Sequence, residues 1–258
     1  MRDAAAVPPR PVLPRQRDST TAGEAPPSLL AAELAALGRE VTADSGTTLV
    51  EQGAAQAPVF LVTGGVVKAL RSAQPDSSPM LLSVHKRGDV LGVADAVRGR
   101  PAHLSYTVAK DATLKVVPRT TFVNLVRSNP AVALSMSVGL ADDVDLRDRS
   151  LAYAPLAVEN RLVAFLDQQS QSCSRTSEGW VLFDLGLTQN DLAAAIGASQ
   201  PAVHKVLKKL DKEGKVSIGY RTLYVKQRLS MAVRDEDAGP VEDRQPETGD
   251  AAHSGDHG

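Results

Sequence analysis

Lys205, Lys208 and Lys212 recur every three or four residues in "ASQPAVHKVLKKLDK", the spacing that stacks side chains on one face of an α-helix. Val203, Val206, Leu207 and Leu210 fall together on the other face. On a wheel of 100° per residue, Pro201 joins the lysines, while Gln200, Ala202, His204 and Lys209 lie to the sides. An aliphatic back and a cationic front suit a helix that meets a polyanion. A lysine face alone is ordinarily a solvated surface, so its setting decides the reading. Upstream, Thr188 and Asp191 form a Ser/Thr-x-x-Asp/Glu capping box that starts a helix. Leu192 and Ile196 point inward from that helix, and Gly197 supplies a tight turn. Ser199 caps the lysine helix, with Pro201 in its first turn, where a missing N–H costs little. The cations therefore sit on the second helix of a helix-turn-helix. Two strands, "KVSI" and "TLYV", follow around Gly219 as a wing, with Arg221 and Lys226 beside it. Residues 177–233 carry eight Lys/Arg against five Asp/Glu, in a chain whose net charge is −1.

Other chemistry is absent. No nucleophile–base pairing, phosphate-cradling glycine loop or metal-ligand cluster is present, so an enzyme is not expected. Cys173 is the only cysteine, which excludes an internal disulfide or a cysteine-ligated iron–sulfur cluster and suits a reducing cytoplasm. The five histidines are scattered, and His85 and His103 read as edge residues of a β-structure rather than as haem or metal ligands. There is no signal-peptide apolar region and no apolar run of about 20 residues, so no membrane association is expected.

The elements that position the lysine helix follow from the rest of the chain. Residues 1–27 hold six prolines and residues 234–258 hold eight Asp/Glu against two Arg, so both ends read as disordered tails. The acidic end is read as a solubilising tail, with competition for a basic surface as the alternative. A short helix is expected over Ser28–Leu37. Short β-like runs then extend to Val117, and "VFLVTGGVVKAL" reads as two strands around a Gly64-Gly65 hairpin loop. "MLLSVHK", "LSYTVA" and "TLKVVP" are further strands, and this many short strands suggest a small barrel or jelly roll. After a short helix at "RTTFVNLVRSN", Pro130 opens a long one. Ala133, Ser137, Leu140, Val144 and Leu151 mark it at spacings of 4, 3, 4 and 7, with Arg147 interrupting. Length and seam favour a dimer helix over one packed only on its own barrel. The fold class is α+β: a jelly-roll-like β-barrel over 28–129, a dimerisation helix over 130–154 and a winged helix-turn-helix over 155–233.

"LTQNDLAAAIGASQPAVHKVLKKLDKEGKVSIGYRTLYV" resembles the winged helix-turn-helix of the Crp/Fnr family of bacterial transcription regulators. The strand order, Gly64-Gly65, "RGDVLG" and the long helix are similar to the family's sensor barrel and dimer helix, so the resemblance covers roughly residues 30–230. It implies a homodimer on double-stranded DNA with a two-fold-symmetric operator, and RNA polymerase as a further partner. It also implies that bases are read by Gln200, Pro201 and Lys205. Gln can pair with adenine and Lys can reach guanine, while Pro201 stands where an acidic residue is common and can touch only a thymine methyl. Thr188, Ser199, Lys208, Lys209, Lys212, Arg221 and Lys226 would contact phosphates.

Family members that bind cyclic nucleotides carry a Gly-Glu pair for the ribose and an Arg for the phosphate. The matching stretch here has Gly92 followed by Val93, and His103 in place of the Arg, with Ser105 nearby. Val cannot accept from a ribose hydroxyl, and a largely neutral His is a poor substitute for a bidentate Arg. The pocket is therefore read as degenerate: no cofactor is expected, and cyclic nucleotide is the ligand to test. Two alternatives stand beside the regulator: an effector-dependent one with a non-standard ligand, and a partner-binding scaffold that has lost operator reading.

Overall fold

A computed structural model describes residues 28–74, 77–171, 173–176, 179–219, 222–227 and 229. The segments expected to be disordered tails, 1–27 and 234–258, lie outside the described residues, as does Arg221. The chain is α+β. It begins with α1 (Leu29–Leu37), capped by Ser28, whose hydroxyl accepts from the Ala31 N–H. Six strands follow: β1 (Arg39–Ala43), β2 (Thr48–Val50), β3 (Val59–Arg71), β4 (Met80–His85), β5 (Val90–Leu91) and β6 (Ser105–Val117), with α2 (Val93–Arg98) before β6.

All pairs in this sheet are antiparallel, in the order β1-β6-β3-β4, with β2 added on β6 and β5 on β3. The expected barrel does not form, because the sheet stays open between β1 and β4. The expected hairpin at Gly64-Gly65 is also corrected. β3 runs through both glycines as one strand of 13 residues, and "LSYTVA" and "TLKVVP" likewise merge into β6. The two long strands pair along most of their length, from Val59↔Val117 to Leu70↔Ser105. The register shifts around Gly64 and Val66, so the glycines make a bulge rather than a reversal. Gly65 has φ +78°, and a Cβ there would lie 2.1 Å from the Asp111 carbonyl oxygen. Close approach of two backbones is therefore what the glycine provides.

The core is aliphatic, as 3% aromatic content requires. Inside the sheet Phe60, Val62, Val67, Leu91, Val108 and Leu114 pack together. On its outer side Leu30, Leu34, Val59, Val117, Phe122 and Val132 join α1 to α3 (Arg119–Ser128) and to the start of α4 (Pro130–Tyr153). The Asn129 side chain caps α4 by accepting from the Ala131 and Val132 N–H groups. The expected seam of α4 is shifted at its start. Ala133 and Leu140 are half-buried, and Leu140 packs on the chain's own core beside Val132 and Met136. Ser137 is exposed and donates its hydroxyl back to the Ala133 carbonyl at 2.9 Å. Leu134 and Val138 are exposed at 67% and 55%, and so are the expected seam positions Val144 and Leu151, at 52% and 68%. The helical twist of 3.6 residues per turn brings Ala133 and Leu140, seven residues apart, toward the chain's own core, while Ser137 stays outside.

The remaining chain forms α5 (Val158–Ser170), β7 (Trp180–Leu182), α6 (Gln189–Ile196), α7 (Gln200–Lys212), β8 (Val216–Gly219) and β9 (Thr222–Lys226). The three strands make the wing sheet in the order β7-β9-β8. Leu162, Leu166, Leu192, Val203, Leu207 and Leu210 form its core, which also takes in Val66 and Ala109 from the β-sheet domain. No described helix is long and apolar enough to cross a membrane.

Gly65→Ala combines the +78° φ with a backbone overlap. It is expected to cost about 3 kcal/mol or more, lowering Tm by roughly 5–10 °C in a calorimetric scan. A wild-type Tm would show that the bulge tolerates a side chain.

Candidate nucleic-acid interface

The capping box that begins α6 is complete. Asp191 Oδ2 accepts from the Thr188 N–H at 2.9 Å and from its hydroxyl at 2.8 Å, and Thr188 Oγ1 accepts from the Asp191 N–H at 3.1 Å. Gly197 ends α6 in the left-handed region at φ +61°. Ser199 Oγ then caps α7 by accepting from the Ala202 N–H at 3.4 Å, with Pro201 in the first turn. Three local signals thus set the turn between the helices.

Burial sorts the side chains of α7. Val203, Leu207 and Leu210 are at most 2% exposed, and Val206 is half-buried. Gln200, Pro201, His204, Lys205, Lys208 and Lys212 are exposed. Among the described residues Lys205, Lys208 and Lys212 have no ion-pair partner, so their charge is turned wholly outward. The expected base readers Gln200, Pro201 and Lys205 share this open surface.

Not all the expected phosphate contacts are equally available. Lys209 is held by both carboxylate oxygens of Glu159 on α5, each at 2.8 Å, with Glu213 at 3.7 Å. That hydrogen bond raises the Lys209 pKa above the usual lysine value. Lys209 therefore ties α7 to α5, which its position on the flank of the wheel allows. The Thr188 and Ser199 hydroxyls are engaged in their caps, although both residues are exposed. Lys226 is exposed at the end of β9. Sequence reasoning left out one pair: His204 Nδ1 lies 3.2 Å from Gln189 Oε1, joining the two helices at the surface. His204 sat unassigned on the flank of the wheel, and only the fold brings the start of α6 beside it.

A second site lies at α2. Gly92, at φ +84°, opens this helix, and its N–H donates to the Tyr106 hydroxyl at 3.2 Å. Burial pushes the Tyr106 pKa up to about 12. Val93 is buried, and its side chain carries no acceptor. Ser105 Oγ accepts from the Gln52 N–H at 2.9 Å. The residue that organises this region is Asp95, which sequence reasoning missed. Only 4% exposed, it accepts from the His103 N–H at 3.0 Å, lies 2.6 Å from His103 Nδ1, and accepts from Arg100 Nε at 2.9 Å. Burial alone would raise its pKa, but the His103 and Arg100 hydrogen bonds outweigh burial and hold it below the usual carboxylate value. The signal in the sequence was an Asp enclosed by Gly92 and Gly99 with Arg100 and His103 just beyond.

Two family descriptions match the chain: "Cyclic nucleotide-binding domain" over residues 40–129 and "Crp-like helix-turn-helix domain" over residues 160–232. No curated protein matches it by sequence. Among solved structures it is similar to FixK2 from Bradyrhizobium japonicum, with 17% identity and a TM-score of 0.67 over 79% of this chain and 99% of that one. It is also similar to a CRP/FNR-family transcriptional regulator from Thermus thermophilus, with 24% identity and a TM-score of 0.60 over 78% of this chain and all of that one. The c-di-GMP-responsive global regulator CLP of Xanthomonas campestris matches with 16% identity and a TM-score of 0.64, over 76% of this chain and 98% of that one. At these identities the structures share the fold. With a cyclic nucleotide-binding domain and a Crp-like helix-turn-helix matched in order on one polypeptide, the chain belongs to the Crp/Fnr family of DNA-binding transcription regulators.

Proposed function

We propose that this regulator works as a homodimer on a two-fold-symmetric operator, with Gln200, Pro201 and Lys205 reading bases and Lys208 and Lys212 holding phosphates. The observation that carries this is the front of α7. Its three outer lysines are exposed, and Val203, Leu207 and Leu210 are fixed in the core behind them. The exposed Leu134, Val138, Val144 and Leu151 on α4 supply a surface for the second copy. The protein acts by binding rather than catalysis, in the cytoplasm, and RNA polymerase is its expected further partner.

The site at α2 supports a regulator that does not take cyclic AMP. Val93 offers the ribose no acceptor, and Arg100 and His103 are already bound to Asp95. The carboxylate supplies from within the negative charge that a cyclic phosphate would bring. CLP responds to c-di-GMP, so effectors in proteins of this fold extend beyond cyclic AMP.

Selection of bound duplexes from a random pool should return a palindrome with half-sites about one helical turn, roughly 10–10.5 bp, apart. Retention of DNA without any motif, and only at low salt, would instead indicate a scaffold that has lost operator reading. Lys208→Ala and Lys212→Ala should weaken binding to all sequences alike, each flattening the log–log salt slope by about 0.9. An altered motif in either variant would reassign that lysine to base reading.

Neither cyclic AMP nor cyclic GMP at micromolar concentration should raise Tm, and a rise of several degrees would overturn the reading of the pocket. The same site has a pH signature. The folded-state pKa of Asp95 lies below its unfolded value of about 3.9. Its contribution to stability is thus present above about pH 4 and lost as pH falls through the depressed folded value. Asp95→Asn should therefore lower Tm at pH 7 and lose less of it between pH 5 and pH 3 than wild type does. Parallel acid profiles would show that Asp95 contributes no such linkage.

A further inference from the structure

We propose that Lys68 is a positioning residue for operator recognition: through its ion pair with Asp191 it sets the orientation of the helix-turn-helix on the β-sheet domain. The proposal rests on the dimeric, two-half-site reading given above.

Lys68 stands in the middle of the sheet, on β3 between Val84 of β4 and Thr107 of β6. Its Nζ lies 2.6 Å from Asp191 Oδ1, and the two side chains are only 18% and 10% exposed. The other oxygen of that carboxylate is the one that accepts from Thr188 in the capping box. Asp191 thus divides its two oxygens, one closing the first turn of α6 and the other binding the sheet. Burial alone would raise its pKa, but the hydrogen bonds from Lys68 and Thr188 prevail and hold it low. It therefore stays charged and keeps its lysine at neutral pH.

The contact belongs to a continuous seam. Val66 and Ala109 of the sheet are buried in the core of the C-terminal domain. Gly186, at φ +67°, lies so close to Ala109 that a Cβ would come within 2.1 Å of its carbonyl oxygen. Lys110 pairs with Asp184 at 2.5 Å, but both side chains are about half exposed, so that pair contributes little. Lys68–Asp191 is the shielded one, and its removal acts selectively. In the docked state the loss of Lys68 leaves Asp191 Oδ1 buried without its cation, whereas in the undocked state water reaches it. The penalty therefore falls on docking, and the capping box survives in both states. Docking leaves Lys205, Lys208 and Lys212 exposed, so the oriented state is able to meet DNA. Two half-sites one helical turn apart demand two recognition helices at fixed spacing and angle. A domain free to rotate on its linker holds neither.

The test uses the full chain, the operator recovered by selection, a duplex carrying one half-site, and duplexes with the half-sites moved one or two base pairs apart. Lys68→Met should lose on the order of tenfold in affinity for the full operator. It should leave single-half-site binding unchanged and tolerate altered spacing better than wild type. Lys68→Arg should restore affinity, and Lys110→Ala, at the exposed pair, should behave as wild type. Without DNA, hydrogen exchange in α6 and β4 should quicken in Lys68→Met, while far-UV circular dichroism stays the same. Wild-type affinity and spacing preference in Lys68→Met, or an equal loss on half and full sites, would overturn the proposal, as would unchanged exchange. A wild-type protein with no preference for the full operator would sink the dimeric reading instead, and unchanged exchange alone would sink only the role of Lys68.

Discussion

The surface of this protein depends on one packing constraint, the burial of Val203, Leu207 and Leu210 behind α7. These aliphatic side chains fix the rotation of the helix about its axis, and no polar interaction is needed to do so. Residues on the opposite side are then exposed by geometry, and lysines fill those positions at a helical period. The caps refine the same arrangement. Gly197 and Ser199 fix the angle at which α7 leaves α6, and Glu159 on α5 holds Lys209 on the flank. What remains is a narrow strip of cations aimed away from the protein, with the field concentrated where nothing inside opposes it.

Several basic side chains elsewhere are treated in the opposite way. Arg100 and His103 are bound to Asp95, Lys68 to Asp191, Lys110 to Asp184 and Lys115 to Glu40. A near-zero net charge is compatible with DNA binding because pairing, rather than composition, determines which charges act outward. At α2 the same pairing bears on the proposed ligand reading. On the proposed reading, the Asp95 carboxylate stands where an anionic ligand would, so such a ligand would gain less here than beside a bare arginine.

What the sequence disclosed was local. The Thr188–Asp191 box, the turn at Gly197, the Ser199 cap and the faces of α7 each depend on residues within four positions of one another, where helical periodicity governs. Longer-range features were hidden. Gly64-Gly65 has the composition of a hairpin loop. It becomes a bulge because β6 runs alongside most of β3, and Thr113, the partner of Gly64, lies 49 residues downstream. The start of the α4 seam was misplaced because Val132, Met136 and Leu140 find partners on α1 and α3, a preference no heptad count contains. Lys209 looked equivalent to Lys208 until α5 placed Glu159 beside it. Asp95 and Lys68 were passed over for the same reason, since a charged residue reads as solvated unless its partner is known.

Asp191 shows how a local and a distant signal can coexist in one side chain. Its role in the capping box was legible because Thr188 is three residues away. Its role on the sheet was not, because Lys68 is 123 residues away. The two roles use different oxygens, so neither weakens the other, and the carboxylate can bind the sheet without releasing its helix. Such a group suits a joint between domains better than a residue that must choose between intrahelical and interdomain partners. Because the capping oxygen is not the one bound to the sheet, opening the joint would leave the first turn of α6 capped. An input to the β-sheet that shifts β3 or β4 by a fraction of an ångström would act on the Lys68–Asp191 contact directly. Through α6 and the fixed turn at Gly197, it would reach the lysine strip as a rotation rather than as unfolding.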